Sequence, residues 1–342
     1  MPSSLNRQFR LRARPSGRIK PSDFQLVETP VPEPAAGEAL VRTLYLSLDP
    51  TNRIWMSDVE QYMPPVALGE VMRGGGLGEV VASRNPAYEV GDLVTGLVGW
   101  QDFLLTDGSG MGALTKLPKG LPIALPSLLG GVGITGITAY FGLLEIGRPE
   151  PGETVVVSAA AGATGSVAGQ IAKIRGCRVV GIAGGRSKCD WLTQELGFDA
   201  AVDYKAPGWQ QALAAACPSG VDVDFENVGG EIMDEVLARM NLNGRVALCG
   251  MISGYNADEP MRGRFDAILM KRLTVRGFIV IDFAPRFTEA ALQLAQWTLE
   301  GKLKHRETIV DGLENAPTAI NRLFDGDNVG KLLVKVAEPS AR

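Results

Sequence analysis

Histidine is almost absent from this chain. His305 is the only one in 342 residues, and it lies in the charged stretch from Lys302 to Glu307. Cysteine is scarce too: Cys177, Cys189, Cys217 and Cys249 stand apart, with no CxxC pair. Structural and catalytic zinc needs three or four Cys, His or carboxylate ligands at recognisable spacing, so no metal site is expected. Acid/base catalysis by histidine would rest on His305 alone, and its surroundings read as a surface connection. The scattered cysteines read as reduced, mostly buried thiols of a cytoplasmic protein. No continuous apolar run reaches about 18 residues, which excludes a helical membrane span. Arg7, Arg10, Arg12, Arg14 and Arg18 crowd the N-terminus, but no apolar run follows to make a signal peptide, and this stretch is expected to be a solvated first strand. With a net charge of -4 there is no basic footprint for nucleic acid or an anionic membrane, and neither is expected as a partner.

What is present is glycine, 42 residues of it, and one turn organises the rest. Thr154-Val155-Val156-Val157-Ser158 is a β-branched run of the kind buried on both faces of a parallel sheet. Ala159 to Ser166 (AAAGATGS) follows, and then a helix over Gly165 to Arg175 with Val167, Ile171 and Ile174 on one face. A strand, a glycine turn and a helix form the dinucleotide fingerprint, in which the helix N-terminus offers unpaired N–H groups to the pyrophosphate. The match departs from GxGxxG at its first glycine, where Ala160 stands. A second strand, Arg178 to Ala183, ends where the adenosine ribose would sit. An NAD site places Asp or Glu there, about 20 residues past the glycines. This chain has Gly184-Gly185-Arg186-Ser187-Lys188 and no carboxylate until Asp190. Cations and a hydroxyl suit a 2′-phosphate, so the cofactor read from these residues is NADP(H).

Along the chain, residues 1 to about 120 lack helical periodicity and show short strands broken by Pro and Gly: Phe24 to Glu28, Glu38 to Leu46, Gly78 to Ser83 and Asp92 to Val98. That pattern predicts a small antiparallel barrel. A helix is expected from Leu128 to Ile146. From Thr154 to about Val280 strands and helices alternate, with further strands at Ala200 to Tyr204, Val221 to Val228, Gly244 to Gly250 and Leu273 to Val280, and helices at Gly208 to Ala216, Glu231 to Met240 and Phe287 to Glu300. The fold class is therefore α/β, a Rossmann-type doubly wound parallel sheet beside a barrel. The tail, with helix Ala316 to Phe324 and strand Lys331 to Val336, is too short to stand alone and is expected to fold back onto the barrel.

Longer motifs are spread over the whole chain: LYLSLDP at 44 to 50, GEVMRGG at 69 to 75, GWQDF at 99 to 103, GITAYFGLLE at 136 to 145, ENVGG at 226 to 230, SGYN at 253 to 256 and GDNVGK at 326 to 331. On these the chain resembles the zinc-independent medium-chain dehydrogenase/reductases of the prostaglandin reductase and alkenal double-bond reductase branch, from about Asn6 to Val336. The resemblance implies a GroES-like barrel over 1 to 125, completed by 305 to 342, and a Rossmann NADP-binding domain over 126 to 304. It also implies a homodimer and a small unsaturated carbonyl as substrate, whose C=C bond is reduced. Quinone reduction and cofactor binding without turnover stay open beside this.

In open α/β sheets ligands lie past the carboxyl ends of the strands. Position and resemblance together single out Gly162, Ala163, Thr164 and Gly165 after the first strand, Ser187 and Lys188 after the second, Tyr204 after the third and Asn227 after the fourth. Cys249, Gly250, Ile252, Ser253 and Tyr255 follow the fifth, and Phe278, Ile279 and Val280 close the sixth. Asn328 comes from the C-terminal segment. Each has a plainer reading: Asn227 suits an Asx turn, Tyr204 a strand end and Phe278 the core. Tyr255 is expected to be the catalytic residue, its hydroxyl meeting the negative charge that develops on the substrate oxygen. Asp49-Pro50-Thr51-Asn52-Arg53 departs from the family's aromatic or apolar pair at 51 and 52. Arg53, Tyr62, Met72 and Arg73 are expected to border a substrate cleft, with Met56 and Met63 adding pliable apolar surface.

Overall fold

The computed structural model describes residues 5–120, 122–257, 259, 261 and 263–340; the first four and last two residues of the domain ranges expected above lie outside them. Seven strands come first: β1 (Leu5–Leu11), β2 (Phe24–Pro30), β3 (Ala39–Ser47), β4 (Gly75–Ser83), β5 (Leu93–Leu97), β6 (Phe103–Thr106) and β7 (Leu114–Lys116). Six more, β8 (Thr154–Val157), β9 (Arg178–Ala183), β10 (Ala200–Asp203), β11 (Val221–Glu226), β12 (Met240–Leu248) and β13 (Thr274–Gly277), alternate with helices. Strands β14 (Glu307–Asp311) and β15 (Lys331–Lys335) close the chain. The main helices are α1 (Thr51–Trp55), α2 (Ile134–Phe141), α3 (Ala163–Ile174), α4 (Arg186–Gln194), α5 (Trp209–Ala216), α6 (Gly230–Arg239), α7 (Phe265–Lys271) and α8 (Phe287–Leu299).

The chain parts into two compact units, one of Met1–Leu129, Thr308–Asp327 and Leu332–Arg342, the other of Gly130–Glu307 and Asn328–Lys331. Relative to the ranges expected from sequence, 126 to 129 fall in the first unit, and 305 to 307 and 328 to 331 in the second.

The first unit is a sheet in the order β14-β15-β3-β4-β5-β7, with β6 also on β3, and a separate β1-β2 ribbon. Strand β15 runs antiparallel to β3, Leu333 opposite Ser47. The arginine-rich opening is not simply solvated. Arg7 grips Asp102 with two guanidinium bonds, Nε at 2.9 Å and Nη2 at 3.0 Å, and Arg14 donates to the Met56 and Val66 carbonyls at 2.9 and 2.6 Å. These bonds place guanidiniums where fork geometry fits a carboxylate or a backbone oxygen, while the arginine stems cover apolar surface.

The second unit is a six-stranded sheet in the order β10-β9-β8-β11-β12-β13, every pair parallel. All four residues of β8 are buried, which explains their uniform apolar character. Val155 and Val157 join the core formed with Val167 and Ile171 of α3, Phe141 of α2 and Leu294 of α8. Val156 points the other way, into the core with Leu213 of α5 and Val236 of α6. Each such valine contributes about 1.5–3 kcal/mol on leaving water.

Several elements differ from expectation. The helix expected from Leu128 begins as α2 only at Ile134, because Gly130, Gly131 and Gly133 hold the preceding chain in turns. It continues as a wider π turn over Gly142–Gly147 and ends at Arg148 with φ 46°. Gly142 is pressed there by Phe278: a Cβ would lie 2.3 Å from that ring's Cζ. Helices α1, α4 and α7 were not expected. The helix expected over Ala316 to Phe324 is broken into Ala316–Ala319 and Arg322–Asp325. The sixth strand stops at Gly277, so 278 to 280 have left the sheet.

Candidate active site

The carboxyl ends of β8 to β12 gather the second unit's candidate residues on one edge of the sheet. After β8 the chain turns sharply through Ala159, held at φ 45°, a conformation that a residue with a Cβ rarely adopts. Gly162 is the N-cap of α3, and no side chain caps that helix. The first-turn N–H groups of Ala163, Thr164 and Gly165 therefore point outward as donors with a favourable helix dipole, which suits a pyrophosphate. Gly165 serves close packing: a Cβ there would lie 2.5 Å from the Ala159 carbonyl oxygen. The fingerprint's missing first glycine also has an account. Ala160 is fully buried because β9 supplies a glycine opposite it, and a Cβ on Gly181 would come within 2.9 Å of the Ala160 Cβ. The small-residue requirement has moved to the neighbouring strand.

Arg186, Ser187 and Lys188 form the first turn of α4, and Gly185 at its N-cap has φ 96°, which only glycine adopts comfortably. Asp203, ending β10, accepts the Gly185 N–H at 2.7 Å and the Lys205 N–H at 3.0 Å. Tyr204 folds toward the same corner: a Cβ on Gly184 would lie 3.1 Å from its hydroxyl and 3.0 Å from the Cε of Lys205. The corner thus brings Arg186, Ser187, Lys188, Tyr204 and Lys205 to one place. Lys205 and the bracing carboxylate of Asp203 were missed from sequence; their signal was adjacency to Tyr204 at a strand end.

Asn227 is tied down more fully than an Asx turn requires. Its backbone N–H donates to Ser158 Oγ at 2.7 Å, and its side-chain Nδ2 donates to the Ser158 carbonyl at 2.7 Å. Its own carbonyl accepts the Ile252 N–H at 3.1 Å, and the Val228 carbonyl accepts the Ser253 N–H at 3.1 Å and its hydroxyl at 2.6 Å. These bonds fasten the segment after β12 to the end of β11. At its far end the Tyr255 hydroxyl oxygen accepts the Met251 N–H at 3.1 Å, and a Cβ on Gly250 would lie 3.2 Å from that oxygen. Burial, with Glu226 nearby, pushes the Cys249 thiol up to about 12, so it stays protonated and is no nucleophile.

Phe278 is half-buried and packs against the core, its ring meeting Gly142 as the Phe225 ring does, while Ile279 and Val280 enter the following turn half-buried. Asn328 is buried and donates to the Gly330 carbonyl at 2.9 Å. Gly330 in turn donates its N–H to Ala161 at 2.8 Å, so the 328–331 segment rests on the glycine turn.

In the first unit the sequence expectations need correction. Arg53 is buried and donates to the Pro15 carbonyl at 3.1 Å and Ser57 Oγ at 2.6 Å. Met72 and Met56 are fully buried, so Met72 borders no cleft and Met56 adds no pliable surface. Asn52 is also fully buried, accepting the Asp49 N–H at 2.8 Å and donating to the Arg73 carbonyl at 3.0 Å; it braces the Asp49-Pro50 turn. Thr51, Tyr62 and Arg73 remain accessible. The Tyr62 and Thr51 hydroxyls are hydrogen-bonded, and the Arg73 guanidinium stacks 5.4 Å from the Trp55 ring.

Among the described residues no group of three or more His, Cys, Asp or Glu side chains is placed to hold a metal ion. His305 pairs with Glu307 at 3.0 Å and packs on Gly131. The four thiols are separate and all pushed up by burial. The donor set does not fit zinc.

Two family models match: one described as the N-terminal domain of oxidoreductase over residues 7–114, the other as zinc-binding dehydrogenase over residues 163–297. The chain is 45% identical to the NADPH-dependent curcumin reductase of Escherichia coli K12, covering 97% of each. It is 42% identical to prostaglandin reductase 1 of Oryctolagus cuniculus, covering 92% of this chain and 89% of that one. Its fold superposes on the crystal structure of CurA from Vibrio vulnificus in complex with NADPH with a TM-score of 0.92 at 43% identity, covering 97% of this chain and 100% of the other.

Proposed function

Because the chain belongs to the zinc-independent medium-chain dehydrogenase/reductases, in the prostaglandin reductase and alkenal double-bond reductase branch, we propose that it reduces the C=C bond of small α,β-unsaturated ketones and aldehydes. It is an NADP-dependent oxidoreductase, and bound NADPH supplies the hydride that goes to the β-carbon of the substrate. The residues fit that cofactor. The uncapped first turn of α3, Ala163 to Gly165, meets the pyrophosphate. Lys188, Ser187 and Arg186, with Tyr204, take the 2′-phosphate. Asn227, the Cys249 to Tyr255 segment and the backbone of 278 to 280 line the nicotinamide half, and Asn328 meets the cofactor from the C-terminal segment.

The observation that carries the reading is the Tyr255 phenol, held at the end of β12 on the sheet edge that also bears the glycine turn and the basic corner. As hydride reaches the β-carbon, negative charge gathers on the carbonyl oxygen, and the Tyr255 hydroxyl donates a hydrogen bond to it. The Met251 N–H given to the phenol oxygen polarises that hydroxyl and strengthens its donation. The proton then passes to the α-carbon from Tyr255 or from water.

The test is loss of NADPH absorbance against a graded series of enals and enones, with a benzoquinone and NADH alongside. Turnover of the unsaturated carbonyls with NADPH is expected. Turnover of the quinone alone makes the protein a quinone reductase, and tight NADPH binding without turnover of any acceptor removes the enzymatic reading. We further propose a homodimer in the cytoplasm: β13 is an edge strand with exposed backbone flanks, and Phe265, Leu269 and Met270 of α7 are exposed nearby in sequence, a surface that a second copy would cover. No described helix is long and apolar enough to cross a membrane.

A further inference from the structure

Two carboxylates lie fully buried on one face of β11, two residues apart: Asp224 and Glu226. Among the described residues neither forms an ion pair with a cation, and neither belongs to the reaction as derived above. Buried charge without compensation is expensive, so each needs an account.

Their surroundings differ. Among the described residues neither Asp224 oxygen has a hydrogen-bond partner, and burial, with Glu226 nearby, holds its carboxyl well above the usual range. Both effects favour the protonated form of Asp224. Glu226 Oε1 accepts from Ser158 Oγ at 2.8 Å, from the Gly229 N–H at 2.7 Å and from the Val228 N–H. Gly229 is the N-cap of α6, so this oxygen also faces a helix N-terminus, which favours negative charge. Burial raises the Glu226 carboxyl while those bonds pull it back. On balance the Glu226 carboxyl still lies above its usual range, and its Oε2 is buried with no hydrogen-bond partner among the described residues; of the pair, Glu226 is the one whose carboxyl is held in place by hydrogen bonds, all through Oε1.

From that oxygen a continuous set of bonds reaches the reacting end of the site. Ser158 Oγ donates to Glu226 and accepts the Asn227 N–H at 2.7 Å. A hydroxyl polarised by a carboxylate is a stronger acceptor for its second partner. The Asn227 and Val228 carbonyls then hold the N–H groups of Ile252 and Ser253, and Tyr255 follows directly.

We propose that Glu226, acting through the buried Ser158 hydroxyl, is the positioning residue that fixes Asn227 and, through the Asn227 and Val228 carbonyls, the Met251 to Tyr255 segment on which the reaction depends. Glu226 touches neither cofactor nor substrate. The proposal rests on the enone-reductase reading for what the segment does, but the positioning itself is independent of substrate.

Ser158→Ala separates this role from simple capping of α6, because it removes the relay and leaves both backbone bonds to Glu226 in place. Two readouts on the full chain decide the matter. Amide hydrogen exchange over 252–255 is expected to rise about tenfold in Ser158→Ala, with that of α3 unchanged. In steady state with NADPH and a short-chain enal, kcat is expected to fall about tenfold or more, while the dissociation constant for NADPH moves less than about twofold, since the basic corner is untouched. Glu226→Ala is expected to show both effects more strongly. Glu226→Gln keeps an acceptor oxygen and is expected to lose no more than about threefold in kcat. Unchanged exchange at 252–255 in a folded Ser158→Ala protein overturns the proposal whatever the substrate proves to be, and so does a parallel loss of kcat and NADPH affinity. If exchange rises while the wild-type protein turns over no unsaturated carbonyl, the positioning stands and the enone-reductase reading falls.

Discussion

Replacing Asp224 by valine should stabilise this protein, and by more as the pH rises. Asp224 sits in the middle of the parallel sheet, opposite Val156 of β8 and Val246 of β12, with both carboxyl oxygens buried and, among the described residues, unpartnered. Its folded-state pKa is raised, first by burial and then by Glu226. Folding therefore takes up a proton at pH values between the unfolded pKa and the raised folded one. The sign follows: the native state is favoured most below the unfolded Asp value of about 3.9, and above it stability declines by about 1.4 kcal/mol per pH unit until the carboxyl ionises in the folded protein as well. The unsatisfied polar atoms cost about a further 1–3 kcal/mol at any pH. Asp224→Val removes both contributions and puts methyl groups against two valines, so at neutral pH it should be more stable by about 2 kcal/mol or more, with the difference shrinking in acid. Urea unfolding followed by tryptophan fluorescence, from about pH 5 to about pH 8, measures this directly. Equal pH slopes for the two proteins, or a valine variant less stable at the upper end, would refute the reasoning.

Other outcomes follow from the same geometry. Tyr255→Phe should lower kcat by about 10²–10³ while NADPH still binds, as titrated by cofactor fluorescence; wild-type turnover on every enone removes the phenol from the mechanism. Lys188→Ala should weaken NADPH roughly tenfold and Lys205→Ala a few-fold, with NADH affinity unmoved and a shallower salt dependence for NADPH in both. Gly142→Ala should destabilise by about 1–3 kcal/mol in thermal unfolding, because its Cβ meets Phe278 at 2.3 Å and Phe225 at 2.8 Å, and the π turn has nowhere to move.

The nucleotide-binding unit was readable in outline because its strands are buried on both faces, which leaves uninterrupted β-branched runs such as Thr154 to Val157. The glycine turn was readable for a related reason: close backbone approach demands glycine, and a Cβ on Gly165 would lie 2.5 Å from the Ala159 carbonyl oxygen. Helix α4 escaped because its first turn, Arg186-Ser187-Lys188, is polar and reads as loop. Helix α7 escaped because Phe265, Leu269 and Met270 point outward, so its apolar residues do not report a buried face. The first-unit residues Arg53, Met56 and Met72 were misplaced since nothing in a local pattern separates a buried loop anchor from a cleft wall. Asp203 accepts the Gly185 N–H, Ser158 Oγ the Asn227 N–H and Glu226 the Ser158 hydroxyl, each across a gap of 18 residues or more, and such bonds leave no spacing to recognise.

The bond from Gly330 to Ala161 has a consequence for biosynthesis. A ribosome making this protein finishes the glycine turn long before it adds the short segment that braces it, because Gly330 comes far later in the chain than Ala161. A nascent chain thus carries this turn open on one side until residues 328–331 have been added and have folded back onto it.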